Sequence, residues 1–307
     1  MAPSLRAAEP ESAKPIRLIV PSAAGGSPDT LLRALTGEIT KATGQPFVIE
    51  NKPGASGLIG MSELTRAPAD GLTLGYVNNV TLAINRSTFR KLPYDPDKIT
   101  PVALLFKVAN VIAIHPALPI NSYAELIAYA KAHPDKLTYA SPGQGTSGHL
   151  AGELLSQVAQ VRVRHIGYRG SPQAVTDVLG GQVDIMIDNT PTILPYVKQG
   201  KLRALAVTGL TRLSQLPDVP TVAESGLSGF EAVAWGGVAL PTGSPARTVQ
   251  ALNGAFNKAL TSAEVRDRFR DMGVDIFISK PNELTDYARK ETVKWAAVAK
   301  QAGIEAQ

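Results

Sequence analysis

Twice in this chain an apolar, β-prone run ends in a loop of glycines and hydroxyls that opens straight into a helix-period pattern. The early copy is Pro21-Ser-Ala-Ala-Gly-Gly-Ser-Pro-Asp-Thr30, between Ile16–Val20 and a helix carrying Leu31, Leu32, Leu35 and Ile39. The later copy is Ser141-Pro-Gly-Gln-Gly-Thr-Ser-Gly-His149, between Leu137-Thr-Tyr-Ala140 and a helix carrying Leu150, Leu154, Leu155 and Val158. This junction permits few folds. A strand feeding a helix through a tight Gly-rich loop is a unit of layered α/β architecture. The loop also presents free amides, hydroxyls and the positive end of a helix dipole, which together make an anion site. Two such loops in separate halves of the chain predict a ligand held between two lobes.

The rest of the chain supports that division. Its 307 residues exceed one ordinary core and suit two α/β units. The first unit reads as strand, helix (Ser27 as N-cap, Pro28 at the first position, Asp29 in the first turn), strand, the Gly-rich loop Asn51-Lys-Pro-Gly-Ala-Ser-Gly57, short helix, and a third strand ending at Asn78. That order is β-α-β-α-β, the alternation of a parallel sheet. In the second unit Ser122-Tyr-Ala-Glu125 forms a capping box, and strands over 161–168, 183–188 and 202–208 alternate with helices starting at Ser171-Pro172 and Pro191. Another capping box, Thr221-Val-Ala-Glu224, predicts a helix start. Two long β-prone runs, 101–114 and 230–240, bracket this unit. If both cross, lobe 1 comprises 14–104 plus 231–307, lobe 2 is 105–230, and the crossings permit hinge closure.

Composition removes several function classes. The chain has no cysteine, so disulfides, thiolate metal sites and a cysteine nucleophile are excluded. The net charge of +5 is scattered, without a basic run interleaved with aromatics, so no nucleic-acid partner is expected. Residues 1–15 are polar and Pro/Ala-rich and lack the apolar core of a secretory signal. His115, His133, His149 and His165 form no metal-binding spacing. Ser147 and His149, two apart at a helix start, do not face each other, and no nucleophile elbow is present.

Several motifs leave two readings open. Gly143-Gln-Gly-Thr-Ser-Gly148 fits G-x-G-x-x-G, and an NADP-dependent oxidoreductase is one reading of it. The motif lies mid-chain, however, and the next strand, Arg162-Val-Arg-His-Ile-Gly-Tyr168, ends without the acid expected to hold a ribose. With its partner loop at 21–30 it favours a small anion. Asp29 either complements its helix dipole or binds a ligand amine or hydroxyl. Asp188, at a strand's C-terminal end, is either a turn residue before Pro191 or a ligand contact. Trp235 and Trp295 read as packing residues.

The chain resembles the solute receptors of tripartite tricarboxylate transporters, the Bug-type periplasmic binding proteins. The resemblance runs from Lys14-Pro-Ile-Arg-Leu-Ile-Val-Pro21 to Lys294-Trp295. It includes Gly25-Gly26 with Asp29 and Arg33, Glu50-Asn-Lys-Pro-Gly-Ala-Ser-Gly57, and Ala67-Pro-Ala-Asp-Gly71. It continues through Gly148-His-Leu-Ala-Gly-Glu-Leu154, Tyr168-Arg-Gly170 and Val219-Pro-Thr-Val-Ala-Glu-Ser-Gly226. It implies a two-lobe periplasmic-binding-protein fold with a hinge of two crossover strands, no catalysis, no cofactor and no metal. It also implies a periplasmic monomer that captures a small mono-, dicarboxylate or aromatic acid and delivers it to membrane permease subunits; a solute sensor shares the fold. The matching site positions are Ser22, Ala23, Ala24, Gly25, Gly26 and Asp29 in the first lobe, and Ser141, Gly143, Gly145, Thr146 and Ser147 in the second. Asn78, Tyr168 and Asp188 lie at matching strand ends. The chain departs from the family where Ser22 replaces the usual aromatic and Ala24 a common proline, which implies a wider or wetter pocket. Pro142 and Thr146 stand where serine is common, and Pro142 removes one N–H donor.

Overall fold

The computed structural model describes residues 14–301 and 306. The polar start of the chain lies outside the described residues almost entirely, and with it the reading of that segment's export signal.

Ten strands form one curled, mixed sheet: β1 (Ile16–Val20), β2 (Phe47–Asn51), β3 (Thr73–Asn78), β4 (Ile99–Ile114), β5 (Thr138–Ser141), β6 (Arg164–Gly167), β7 (Ile185–Asn189), β8 (Arg203–Val207), β9 (Val233–Pro241) and β10 (Val274–Ile276). The spatial order is β2-β1-β3-β9-β4-β7-β5-β6, with β8 and β10 also paired to β4. The strand–helix–strand segments pair in parallel, β1 with β2 and β3, and β5 with β6 and β7. The strands inserted between them, β4 and β9, pair antiparallel to their neighbours. The sheet is therefore mixed rather than purely parallel, because these long strands return without a crossover helix.

Strand β4 links the two lobes. Its residues Ile99 to Ala109 pair with β9, and Phe106 to Val108 also pair with β10. From Asn110 to Ile114 the same strand pairs with β7 and β8. The second passage lies next to the first: the Ala232 amide donates to the Thr208 carbonyl at 3.0 Å, and Asn110 Nδ2 donates to the Ala232 carbonyl at 2.7 Å.

Helices cover both faces, and each begins for a local reason. Ser27–Thr43 is capped by Gly26 and not, as expected, by Ser27, which lies inside the helix and makes no side-chain cap; a proline sits in its first turn, and it ends at Gly44, whose φ of 71° closes a left-handed cap. Leu31, Leu32 and Leu35 from its inner face are fully buried with Phe256 and Phe269 of the C-terminal helices. Tyr123–Ala132 carries the predicted cap, with Glu125 N donating to Ser122 Oγ at 3.1 Å. At Thr221 the box closes as predicted, Glu224 Oε2 accepting from the Thr221 amide at 2.8 Å. It closes a turn, however, and no helix follows. Trp235 and Trp295 are both fully buried, and their indole nitrogens donate to one oxygen of Glu291 at 3.0 and 2.9 Å.

Candidate ligand cleft

Four helices begin at one cleft: Ser27–Thr43, Ser147–Val158, Ser171–Leu179 and Thr190–Lys198. The cleft has a volume of about 630 Å³, in the range of small-molecule sites. Only the helix at Ser147 has a side-chain cap, in which the His149 amide donates to Thr146 Oγ1. The helices at Ser27, Ser171 and Thr190 have none. Each of these three opens with a small hydroxyl residue followed by proline: Ser27-Pro28, Ser171-Pro172 and Thr190-Pro191. Uncapped first turns leave backbone N–H groups and the positive dipole end directed into the cleft.

Of the residues expected from sequence, Ser22, Ala23, Gly26, Asn78, Gly143, Gly145, Thr146, Ser147, Tyr168 and Asp188 line the cleft. Ala24, Gly25, Asp29 and Ser141 do not, and three of these four shape the loops that do. Asp29 is buried and accepts from the Gly25 amide at 3.0 Å, from Arg33 Nε at 3.0 Å and from Asn51 Nδ2 at 3.1 Å. Burial opposes its charge, but Arg33, Gly25 and Asn51 outweigh it and hold the carboxyl below its ordinary range. Fully buried Ser141 contacts His165 Nε2 at 2.7 Å and accepts from the Gly143 amide at 3.3 Å.

The second loop is tied to itself. Gly143 N donates to Ser141 Oγ, Gly145 N to His149 Nδ1 at 3.0 Å, and Thr146 N to the Gly143 carbonyl at 3.2 Å. Thr146 Oγ1 donates to that same carbonyl at 2.7 Å. The amides left to face a ligand are that of Gln144 and those of the first helical turn from Ser147 onward, apart from the His149 amide that Thr146 caps. Gly148 N lies in this turn, and a Cβ on Gly148 would collide with the Ile187 carbonyl, so glycine sets the close helix–strand approach there. The His149 and His165 rings pack at a tilt of 36° with centroids 4.1 Å apart. Burial pushes His149 down to about 4; burial, and then its neighbour's charge, push His165 down to about 3. Both are neutral, and Nδ1 of His149 is an acceptor.

In the first lobe, Asn78 Oδ1 is occupied by the Thr81 amide and hydroxyl, at 3.0 and 3.2 Å. The neighbouring Asn79 is buried with Nδ2 unpartnered, and it too lines the cleft. Ser22 Oγ and Asp188 Oδ2 are likewise buried and unpartnered. Asn79, Gly170, Ser171 and Asn189 are cleft residues that sequence reasoning missed. The repeated hydroxyl-proline helix start marks two of these places. Nothing in the sequence separates Asn79 from Asn78.

The two sides of the cleft touch. Ser56 Oγ donates to the Gln144 carbonyl at 2.9 Å, and a Cβ on Gly170 would stand 2.6 Å from Ala23 Cβ. Among the lining residues Asp188 is the one Asp or Glu, and exposed Arg169 the one Lys or Arg. Among the described residues, no group of three or more His, Asp or Glu side chains is placed to hold a metal ion.

Comparison with known proteins places this geometry. Residues 31–304 match the model of the tripartite tricarboxylate transporter family receptor. The chain belongs to that family. A solved Rhodopseudomonas palustris protein, Rpa4515 with adipate, superposes with a TM-score of 0.93 at 34% identity, over 95% of this chain and 98% of that one. The periplasmic binding protein BugD gives a TM-score of 0.91 at 33% identity, over 95% and 99%. MatC from Rhodopseudomonas palustris with bound malate gives 0.85 at 33% identity, over 92% and 98%. The fold is thus the two-lobe fold of Bug-type periplasmic solute-binding proteins. Members of the family are periplasmic solute-binding proteins. No helix among the described residues is long and apolar enough to cross a membrane.

Proposed function

We propose that this receptor is a non-catalytic, monomeric periplasmic protein that captures a small organic carboxylate and hands it to the permease subunits of a tripartite transporter. One observation carries the reading: uncapped helix starts and the buried, unpartnered donors Ser22 Oγ and Asn79 Nδ2 converge on a cleft nearly devoid of charged side chains. A carboxylate satisfies such donors, and charge-assisted bonds contribute about 1.5–3 kcal/mol each. The adipate and malate in two relatives support the ligand class. In this reading Ser22, Ala23, Gly26, Asn79, Ser147, Tyr168 and Asp188 face the ligand. Gly25, Asp29, Ser141, Gly143, Gly145 and Thr146 hold the loops in shape, and Ala24 stands outside the contact set. The lobes are 14–104 with 231–307, and 105–230, hinged where β4 changes partners. The Gly143–Gly148 turn serves helix packing and not a dinucleotide, because three of its amides are already taken within the loop.

The test is a thermal-shift screen of ligand-stripped protein against mono-, di- and aromatic carboxylates and NADPH. At one hundred times Kd a ligand adds about 2.7 kcal/mol, a shift of a few degrees for a chain of this size. Carboxylates should shift the midpoint, and Asn79→Ala should weaken the best of them at least about tenfold. A shift by NADPH alone overturns the reading.

A further inference from the structure

Three buried polar atoms lining the cleft lack partners, and they do not agree in chemistry. Ser22 Oγ and Asn79 Nδ2 can donate to an anion. Asp188 Oδ2, when ionised, only accepts. The residue is 3% exposed, and its other oxygen, Oδ1, accepts from the Asn189 amide at 2.7 Å. The hydroxyls of Ser171 and Thr192 stand beside the carboxyl and favour its charge, but no donor meets Oδ2 within hydrogen-bond geometry, and Thr192 Oγ1 is itself buried and unpartnered. Among the described residues no lysine or arginine pairs with it. A buried carboxylate with one donor is costly, and a second carboxylate brought beside it makes the cost worse. A plain alkanoate or alkanedioate in its ionised form supplies negative charge and no donor. A hydroxyl or ammonium group on the ligand supplies what Oδ2 lacks.

We propose that Asp188 accepts a hydrogen bond from the bound solute, so the acid this cleft selects carries a hydroxyl or ammonium group besides the carboxylate held by the helix starts. This rests on the carboxylate reading above and narrows it. The chain's own placements support it. Asp188 is the next-to-last residue of strand β7, one before Asn189, the N-cap position of the helix at Thr190, so its carboxyl lies at the uncapped start of that helix and beside Ser171 of another. The solute would then span donors and acceptor together, with its carboxylate on the amides and its donor on Asp188.

The experiment uses matched acids that share a carbon skeleton and differ only by hydrogen, hydroxyl, ammonium or fluorine at one position: succinate, malate, aspartate and fluorosuccinate, with the propionate and glutarate series beside them. Affinities are measured by calorimetry on ligand-stripped wild type and Asp188→Asn. In at least one series the hydroxy or amino acid should bind about tenfold tighter or more than the parent, because a site built around a donor rejects the analogue that lacks it. The fluoro acid, similar in size but without a donor, should fall back to the parent's affinity. Asp188→Asn should compress the preference to less than about threefold while the parent acid still binds. The wild-type fluoro comparison decides the matter even if the variant does not fold. Equal binding across every series, or a preference that Asp188→Asn leaves intact, assigns Asp188 to starting the Thr190 helix and overturns the proposal alone. No binding by any acid overturns the carboxylate reading with it.

Discussion

The Ser56 hydroxyl and the Gln144 carbonyl, 88 residues apart in the chain, meet across the mouth of the cleft at 2.9 Å. Ser56 reaches it from an unusual backbone. Both it and Ala55 adopt left-handed conformations, with φ of 51° and 44°. Such residues carry strain of order 1 kcal/mol or more, and strain of this kind collects at ligand clamps. Ser56→Ala should leave the melting temperature of the unliganded protein within a degree or so and weaken carboxylate binding about three- to tenfold, through faster release. Stopped-flow dissociation on stripped and reloaded protein measures it; an unchanged off-rate removes the latch from the account.

Gly170 makes a second contact between the sides. A methyl there would stand 2.6 Å from Ala23 Cβ, too close for any real pair of side chains. Gly170→Ala should therefore hold the lobes apart and abolish the thermal shift given by the best ligand. The double variant Gly170→Ala, Ala23→Gly removes the collision and should restore part of the shift, the remainder being withheld by the strain of alanine at a φ of 155°. Restoration separates a closure defect from simple misfolding.

How far these contacts are visible in the sequence varies by kind. The strand–helix alternation is legible because hydroxyl-proline starts and glycine ends are local signals, and Ser27-Pro28, Ser171-Pro172 and Gly44 act locally. Thr221–Glu224 shows the limit of such signals: its capping box forms, yet Gly226, with a φ of 108°, and the return to β9 leave only a turn. The antiparallel insertion of β4 and β9 was not legible, since strand order depends on contacts far apart in the chain. Nor was the role of Asp29, whose carboxylate is engaged by Asn51 from the next strand's end. The two asparagines at the end of β3 are indistinguishable in sequence; Thr81 occupies the first and leaves the second free.

Glu291 joins two indoles on one oxygen, Trp235 from β9 and Trp295 from the C-terminal helix. Glu291→Leu leaves both buried N–H groups without an acceptor, and each costs about 1–3 kcal/mol. The variant should lose about 2–5 kcal/mol in urea unfolding, while Glu291→Gln, which keeps an acceptor, recovers most of it.

The paired buried histidines set an acid limit. Both are neutral in the folded state, held down to about 4 and about 3 by burial. The unfolded chain titrates near the ordinary histidine value of about 6.5 and binds protons first. Their contribution is therefore complete above that value and is lost as pH falls toward 4. The melting temperature should drop between pH 6.5 and 4.5, and His149→Gln combined with His165→Asn should flatten that limb.

Strand β4 gives its first eleven residues to one set of neighbours and its last five to another, with no break in the peptide chain between them. Neither half can come apart without stripping the other of a middle rung. Heating the receptor should accordingly give a single calorimetric peak whose van't Hoff and measured enthalpies agree, and a backbone nick at this rung should dissolve both halves together rather than liberate one.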